Sequence, residues 1–274
     1  MKQSIKIAAL LVLLSAGCAD EKKNPEQKND GAVPKIEAAR VITFDTRSED
    51  LLKDFMTWYT YTYSNIRLGQ DFIGLNADSG SLRKDEFLQL LKSGKYFAIR
   101  IMEKEGIPVY RLFNDQKQYP AMRSTMIQMA ETEIEHQSQV GKDMPTFRFK
   151  DLEGRLYTNE NTIGKILVLK CWFINCVACV KEFPELNELT ASYGDRKDVL
   201  FVSLATDESS KLKQFLASRE FSYAVVPGQG NFMKDLGVTS YPKHFIIGRD
   251  GRIANVSGNA TDLIPALKKE IGQL

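Results

Sequence analysis

The segment that decides the fold reads Lys170-Cys-Trp-Phe-Ile-Asn-Cys-Val-Ala-Cys-Val-Lys-Glu-Phe-Pro184. It starts inside a nearly continuous apolar run, Ile166 to Phe173, which is typical of a central strand buried on both faces. Cys176 and Cys179 follow at the carboxyl end of that strand, where a helix is predicted to begin. Free amide groups and the positive end of the helix dipole stabilise a thiolate there. We therefore predict that Cys176 attacks as the nucleophile and that Cys179, one turn further on and more enclosed, resolves the mixed disulfide.

A C-x-x-C pair on its own has other interpretations, namely half of a zinc site or a chance pair. A structural zinc site needs four ligands, and the chain has four cysteines, no second C-x-x-C and only two histidines. A redox dithiol is therefore the favoured interpretation, and neither a metal site nor another cofactor is expected.

Strand-like and helix-like stretches alternate around this segment. Strands separated by helices imply crossover connections and a central sheet with helices on both faces. The predicted strands are 146–150, 166–173, 199–205, 243–247 and 252–256, and the predicted helices are 177–193, 208–219, 231–236 and 261–271.

The quoted segment resembles the active site of the thioredoxin superfamily, and more narrowly that of the membrane-tethered thiol-disulfide oxidoreductases of the TlpA and ResA type. Met144-Pro145-x-Phe147 and Asp151-x-x-Gly154 match the extra N-terminal hairpin of that group. Tyr241-Pro242-x-x-Phe245 and Asp250-Gly251 match its later strands. The likeness covers about residues 142–274. It implies a thioredoxin-like α/β fold in this region, with a central mixed sheet flanked by helices.

The resemblance also implies roles for individual residues. Pro242 matches a cis-proline that packs opposite the disulfide and leaves the backbone of Tyr241 free to bind an extended peptide. Tyr241, Pro242 and Trp172 are the expected substrate-binding residues. Pro184 matches a proline that bends the active-site helix, since it removes one helical hydrogen bond.

Glu182 matches an acidic residue that helps to titrate the dithiol in ResA-like proteins. Positions 176, 179 and 182 form an i, i+3 ladder on a helix, so the carboxylate is expected on the Cys179 side, where it would accept the proton of the resolving thiol. Without the resemblance, Glu182 would be interpreted as an ordinary exposed glutamate of a Lys-Glu-rich helix.

The chain departs from the family pattern at three positions. Lys170 stands where many thioredoxins bury an aspartate, so that general base is absent. Asn175 replaces a common tryptophan, and Ala178 replaces a frequent proline inside the pair. The neighbouring Cys171 is predicted to be inert core filler facing away from Lys170 and Trp172, because free cysteine is among the most buried residue types.

Residues 38–141 are predicted to form a smaller α+β, mainly helical domain. A helical aromatic pattern covers 51–66 behind a Thr46-x-x-Glu49 capping box, and its aromatic stripe is interpreted as packing. A short helix is expected over Lys84 to Lys92, a β-hairpin over 96–102 and 109–113, and a long helix from 119 that ends near Gly141. No motif in this half carries chemistry, so its role cannot be read from the sequence.

The first 37 residues indicate export and anchoring. Lysines followed by a short apolar run and small residues are typical of a signal peptide, here residues 1–17, and the run is too short to span a membrane. Leu-Ser-Ala-Gly-Cys18 resembles a lipobox, which would lipidate Cys18, although Leu14 lies one position further from the cysteine than usual. The charged segment 18–37 is predicted to be a flexible tether. We therefore expect a lipid-anchored protein of the cell envelope that faces the periplasm.

Composition narrows the possible functions. Lys plus Arg number 37 and Asp plus Glu number 35, so no strong positive field favours nucleic-acid binding. The leading hypothesis is an oxidoreductase that exchanges disulfides with exported proteins, with reduction as the expected direction and an upstream electron donor such as a membrane thiol reductase. One alternative is a Sco-like copper carrier that uses Cys176, Cys179 and His244, although Sco-type carriers have three residues between their cysteines. Another is a redox-inactive binding module. The sequence does not fix the direction of electron flow, because C-x-x-C potentials span about −270 to −120 mV.

Overall fold

The computed structural model describes residues 41–44, 48–115, 117 and 119–272. These described residues form one compact unit. The predicted signal peptide, the Cys18 lipidation site and the tether lie outside the described residues. Among the residues that are described, no helix combines the length and the apolar character needed to cross a membrane.

The first half is an α+β arrangement, as predicted. A five-stranded sheet with the order β1-β4-β5-β2-β3 packs against helices, whereas the sequence indicated only its central hairpin. Glu105 and Gly106 make the hairpin turn with φ of 54° and 81°. The elements are β1 (Val41–Thr43), α1 (Ser48–Leu51), α2 (Phe55–Asn65), β2 (Ile73–Leu75), β3 (Ser81–Leu82), α3 (Lys84–Lys92), β4 (Phe97–Lys104), β5 (Ile107–Phe113) and α4 (Pro120–Gln139).

The first long helix differs from its prediction. The pattern over 51–66 predicts one helix, but the chain breaks between α1 and α2, because Asp54 caps a new helix by accepting a hydrogen bond of 2.8 Å from the Thr57 amide. Thr46 of the predicted capping box lies outside the described residues. The aromatic stripe is only partly core. Trp58 is 1% exposed, whereas Tyr59 and Tyr63 are 40% and 64% exposed.

The second half contains a second five-stranded sheet with the order β10-β9-β8-β11-β12. Strands β8, β9 and β10 are parallel, and β11 and β12 are antiparallel, so this mixed sheet flanked by helices is a thioredoxin-like fold. The elements are β6 (Arg148–Lys150), β7 (Leu156–Thr158), α5 (Asn159–Thr162), β8 (Ile166–Trp172), α6 (Val177–Lys181), α7 (Phe183–Ser192), β9 (Val199–Ala205), α8 (Ser209–Leu216), β10 (Ala224–Val226), α9 (Gly230–Asp235), β11 (Lys243–Ile247), β12 (Ile253–Ser257) and α10 (Ala260–Ile271).

Two features of this half bear directly on the predictions for the active-site segment. All seven residues of β8 are buried, as the apolar run predicted. The single helix predicted over 177–193 is two helices that are divided at Glu182, and Pro184 lies in the first turn of the second, α7.

The two halves meet along the edge strand β12. After α4, Gly141 adopts a φ of +83°, and its amide donates to the carbonyl of Ile253 over 2.8 Å. Each half has its own sheet and its own hydrophobic core. The strands of the first sheet all precede the predicted boundary at Gly141, and those of the second sheet all follow it. The two halves nevertheless form one compact unit, so their division into separate domains stays a prediction.

Candidate active site

Cys176 and Cys179 form a disulfide at the carboxyl end of β8, with 5.2 Å between their Cα atoms. Cys176 is the N-cap residue of α6, and the Cys179 amide donates to the Cys176 Sγ over 3.2 Å. Cys176 is 7% exposed and Cys179 is fully buried. The outer and the enclosed cysteine are thus arranged as the sequence predicted.

The loop that carries Cys176 is fixed from a neighbouring strand. The Ile174 amide donates over 2.8 Å to the Oδ2 of Asp207, which follows β9. Asp207 is not among the site residues predicted from the sequence. Its position just beyond the carboxyl end of β9, beside the end of β8, was the available signal.

The peptide bond between Tyr241 and Pro242 is cis, as the resemblance implied. The half-buried Tyr241 ring packs against the cluster that contains both active-site cysteines and meets Phe173 edge-on, with 5.3 Å between ring centroids. Val177, which directly follows Cys176, is 68% exposed. Tyr241 and Val177 therefore give the surroundings of the disulfide an apolar character.

Trp172 differs from its expected role. Its side chain is fully buried and packs edge-on against Phe183, with 5.1 Å between ring centroids, and against Phe221 at 5.8 Å. No part of the ring is available to a bound substrate in this structure. Trp172 supports the active-site helix from the core and does not line a groove.

Glu182 forms a buried cluster with two strand residues. Its Oε2 lies 2.5 Å from the Nζ of Lys170 on β8 and 3.1 Å from the Nε2 of His244 on β11. Its Oε1 accepts a hydrogen bond of 2.8 Å from the Ala260 amide at the start of α10. The Glu182 side chain is 13% exposed, and those of Lys170 and His244 are fully buried. The interpretation of Glu182 as an ordinary exposed glutamate is therefore wrong.

Burial and the contacts within the cluster shift the pKa values of its members. Burial by itself raises the pKa of Glu182, but the hydrogen bond and charge of His244 and the charge and hydrogen bond of Lys170 outweigh it and lower that pKa to about 2. Burial lowers the pKa of His244 to about 4, and the Lys170 ammonium acts in the same direction. Burial also lowers the pKa of Lys170, against the opposing effect of Glu182. At neutral pH the cluster therefore contains a carboxylate and a neutral imidazole.

Strand register places two further polar residues, Ser203 and Ser257, on the neighbouring strands beside Lys170 and His244. Lys170 pairs with Ser203 on one side and with His244 on the other, and His244 pairs with Ser257. All four side chains are buried. His244 Nδ1 and Ser257 Oγ have no hydrogen-bond partner among the described residues. A row of four buried polar residues therefore crosses the sheet beside the active-site helix.

Cys171 lies on the opposite face of β8, in a core cluster with Leu169 and Phe245. It is a fully buried free thiol, and burial raises its pKa to about 12. Its predicted orientation away from Lys170 and Trp172 is confirmed, and a thiol that remains protonated matches the interpretation as core filler.

The copper interpretation finds no support in this geometry. His244 directs its Nε2 toward Glu182, and in the part of the chain that the structure describes no three His, Cys, Asp or Glu side chains are grouped as metal ligands. His244 was considered as a copper ligand, and its contact with Glu182 was not predicted. Alternation along β11 nevertheless places His244 on the sheet face that α7 and α10 cover.

The mixed sheet, the disulfide at the end of β8 and the cis peptide at Tyr241, whose ring packs against the cysteine cluster, define a thioredoxin-like redox protein. The Redoxin family model matches residues 139–263. "Thiol-disulfide oxidoreductase ResA" of Bacillus thuringiensis subsp. konkukian is 32% identical over 130 residues, which are 46% of this chain and 75% of that protein. "Thiol:disulfide interchange protein DsbE" of Vibrio cholerae is 34% identical over 119 residues, which are 42% of this chain and 62% of that protein.

A solved thiol-disulfide oxidoreductase from Bacteroides fragilis covers 47% of this chain and 98% of its own length, at 18% identity and a TM-score of 0.43. From the sequence relatives, the chain belongs to the ResA-like thiol-disulfide oxidoreductases of the thioredoxin superfamily. It is therefore an oxidoreductase.

Proposed function

We propose that this protein reduces disulfide bonds of exported proteins in the bacterial cell envelope through the Cys176–Cys179 dithiol. The observation that carries the proposal is the placement of the two sulfurs. Cys176 caps a helix and keeps some exposure, whereas Cys179 is fully buried. A client disulfide then reaches the first sulfur only, as a nucleophile and its resolving partner require.

The exchange proceeds in two displacements. The Cys176 thiolate attacks one sulfur of the client disulfide, which forms a mixed disulfide and releases a client thiolate. Cys179 then loses its proton and attacks the Cys176 sulfur, which closes the protein disulfide and releases the second client thiolate. Two electrons pass to the client, and a membrane thiol reductase is the proposed donor that restores the dithiol.

Tyr241 and Pro242 are the proposed client-binding residues. The cis peptide and the contact of Tyr241 with the cysteine cluster support this assignment. An extended client segment would hydrogen-bond to the Tyr241 backbone beside the disulfide, much as a strand adds to the edge of a sheet.

Glu182 is proposed to influence the loss of the Cys179 proton together with Lys170 and His244. Its carboxylate is already engaged by both side chains and by the Ala260 amide. Any effect on the Cys179 proton therefore depends on Glu182, Lys170 and His244 together and not on Glu182 alone.

The envelope location rests on the sequence pattern of residues 1–37. Signal cleavage before Cys18 and its lipidation would anchor the protein, with its redox half facing the periplasm. Metabolic labelling with a radioactive fatty acid tests this part separately, because a Cys18→Ser variant should lose the label.

The test of the chemistry uses full-length protein purified in detergent, with insulin as the model disulfide and dithiothreitol as the reductant. Cys176→Ser should abolish turnover. Reduced Cys179→Ser that is freed of dithiothreitol before insulin is added should accumulate mixed disulfides with insulin that are visible on non-reducing gels. Full activity in Cys176→Ser would refute the nucleophile assignment. Copper bound to the purified protein, together with no turnover, would favour the carrier alternative.

A further inference from the structure

A second buried lysine lies next to the proposed client-binding residues. Lys243 directly follows Pro242, is the first residue of β11 and is only 1% exposed. It pairs in register with Cys171 on β8, and it lies on the sheet face opposite to that of its neighbour His244. An ammonium group at such a site needs a compensating charge, because its desolvation is costly.

The compensating charge comes from the other half of the chain. The Glu135 Oε1 lies 3.0 Å from the Lys243 Nζ. Within the described ranges, no second carboxylate forms an ion pair with Lys243. Glu135 belongs to α4, whose Met126 and Ala130 are part of the core of the first half. The first half thus provides a charge that the thioredoxin-like half does not.

Helix α4 holds Glu135 in a fixed position. Two residues before it, Glu133 is buried, and its Oε1 lies 3.4 Å from the Nζ of Lys84 on α3. Beyond the end of the helix, backbone hydrogen bonds join Gly141 and Lys142 to Ile253 of β12 over 2.8 and 2.9 Å. The Glu135 carboxylate is therefore presented to β11 from a helix that is anchored on both sides.

We propose that Glu135 is a positioning residue for thiol-disulfide exchange. By binding Lys243, it fixes the start of β11 and with it the backbone of Tyr241 and Pro242 that receives a client peptide. This inference rests on the proposed function and assigns the first half a role in client binding. Reduction of a small disulfide that makes no backbone contact does not depend on the ion pair.

Two variants separate positioning from general damage. Glu135→Gln leaves the buried ammonium without a counter-charge, whereas Lys243→Gln removes the buried charge and leaves a half-exposed carboxylate. Both lose the contact, but only the first has an unpaired buried charge. Glu131→Gln is the matched control, because Glu131 lies on the same helix and forms an exposed ion pair with Lys92.

The full-length protein in detergent is assayed with insulin and, separately, with 5,5′-dithiobis(2-nitrobenzoate). Both variants should raise KM for insulin about tenfold, with kcat and the rate with the small disulfide within about twofold of wild type. The Glu131→Gln control should match wild type in both assays.

Three results would overturn the inference: an unchanged KM in both variants, an effect confined to Glu135→Gln, or a parallel loss with both substrates. Failure of the proposed function is a different result, namely full activity in Cys176→Ser.

Discussion

Replacing Glu182 by Gln tests the buried cluster most directly. Gln keeps the size of the side chain and an oxygen that accepts from the Ala260 amide. It removes the carboxylate 2.5 Å from the Lys170 Nζ, and the Lys170 side chain is fully buried. Removing one partner of a buried ion pair typically costs about 3–5 kcal/mol, because the other charge stays desolvated. We expect the free energy of unfolding to fall by about that amount at pH 7.

The assay is urea unfolding of the oxidised protein, followed by tryptophan fluorescence. The chain has two tryptophans, and Trp172 reports on the core under the active-site helix. Glu188→Gln is the matched control, since Glu188 is exposed on α7 and has no ion pair among the described residues. Its free energy of unfolding should stay within about 0.5 kcal/mol of wild type.

The pH dependence supplies a second check. Burial lowers the pKa of Lys170 in the folded protein, and loss of the Glu182 charge lowers it further. The unfolded state then binds more protons, so the stability of Glu182→Gln should rise between pH 7 and pH 9 more steeply than that of wild type. A double variant with Lys170→Met should recover most of the lost stability. A loss below about 1 kcal/mol in Glu182→Gln would refute the reasoning.

Two further predictions concern buried groups near the site. Burial lowers the pKa of His244 from 6.5 to about 4, so the unfolded state binds more protons between these values. Wild-type stability should therefore fall as pH drops from 6.5 to 4, and urea unfolding should show a shallower fall in His244→Asn; identical slopes would contradict a buried neutral imidazole. Burial raises the pKa of the Cys171 thiol to about 12, so iodoacetamide should modify Cys176 but not Cys171 in the folded, reduced protein. Peptide mass spectrometry measures both sites, and rapid modification of Cys171 would contradict its assignment to the core.

Much of the second half could be predicted because local patterns decide it. Strand β9 and strand β11 have their predicted bounds, since each contains a short apolar stretch, Val199–Val202 and Phe245–Ile247, between turn residues. Strand β10 was missed because three residues carry too little periodicity. In the first half, β4 and β5 were found as a hairpin, but β1, β2 and β3 have two or three residues each and gave no comparable signal.

The position of the cysteine pair in the fold could be predicted for a similar reason. A strand, a short loop and a helix start place Cys176 and Cys179 through contacts within a few residues. Trp172 was expected to bind substrate, but the burial of a side chain depends on the helices that cover that face, which come from elsewhere in the chain.

The sequence by itself determined where the redox pair lies and which strand and helix carry it. Only the tertiary structure decided which charges balance one another. Lys170 meets a glutamate 12 residues away and Lys243 meets one 108 residues away. Such partners depend on strand register and on helix packing across the sheet. A shift of one residue along a strand turns every side chain to the opposite face, so no local pattern determines these pairs.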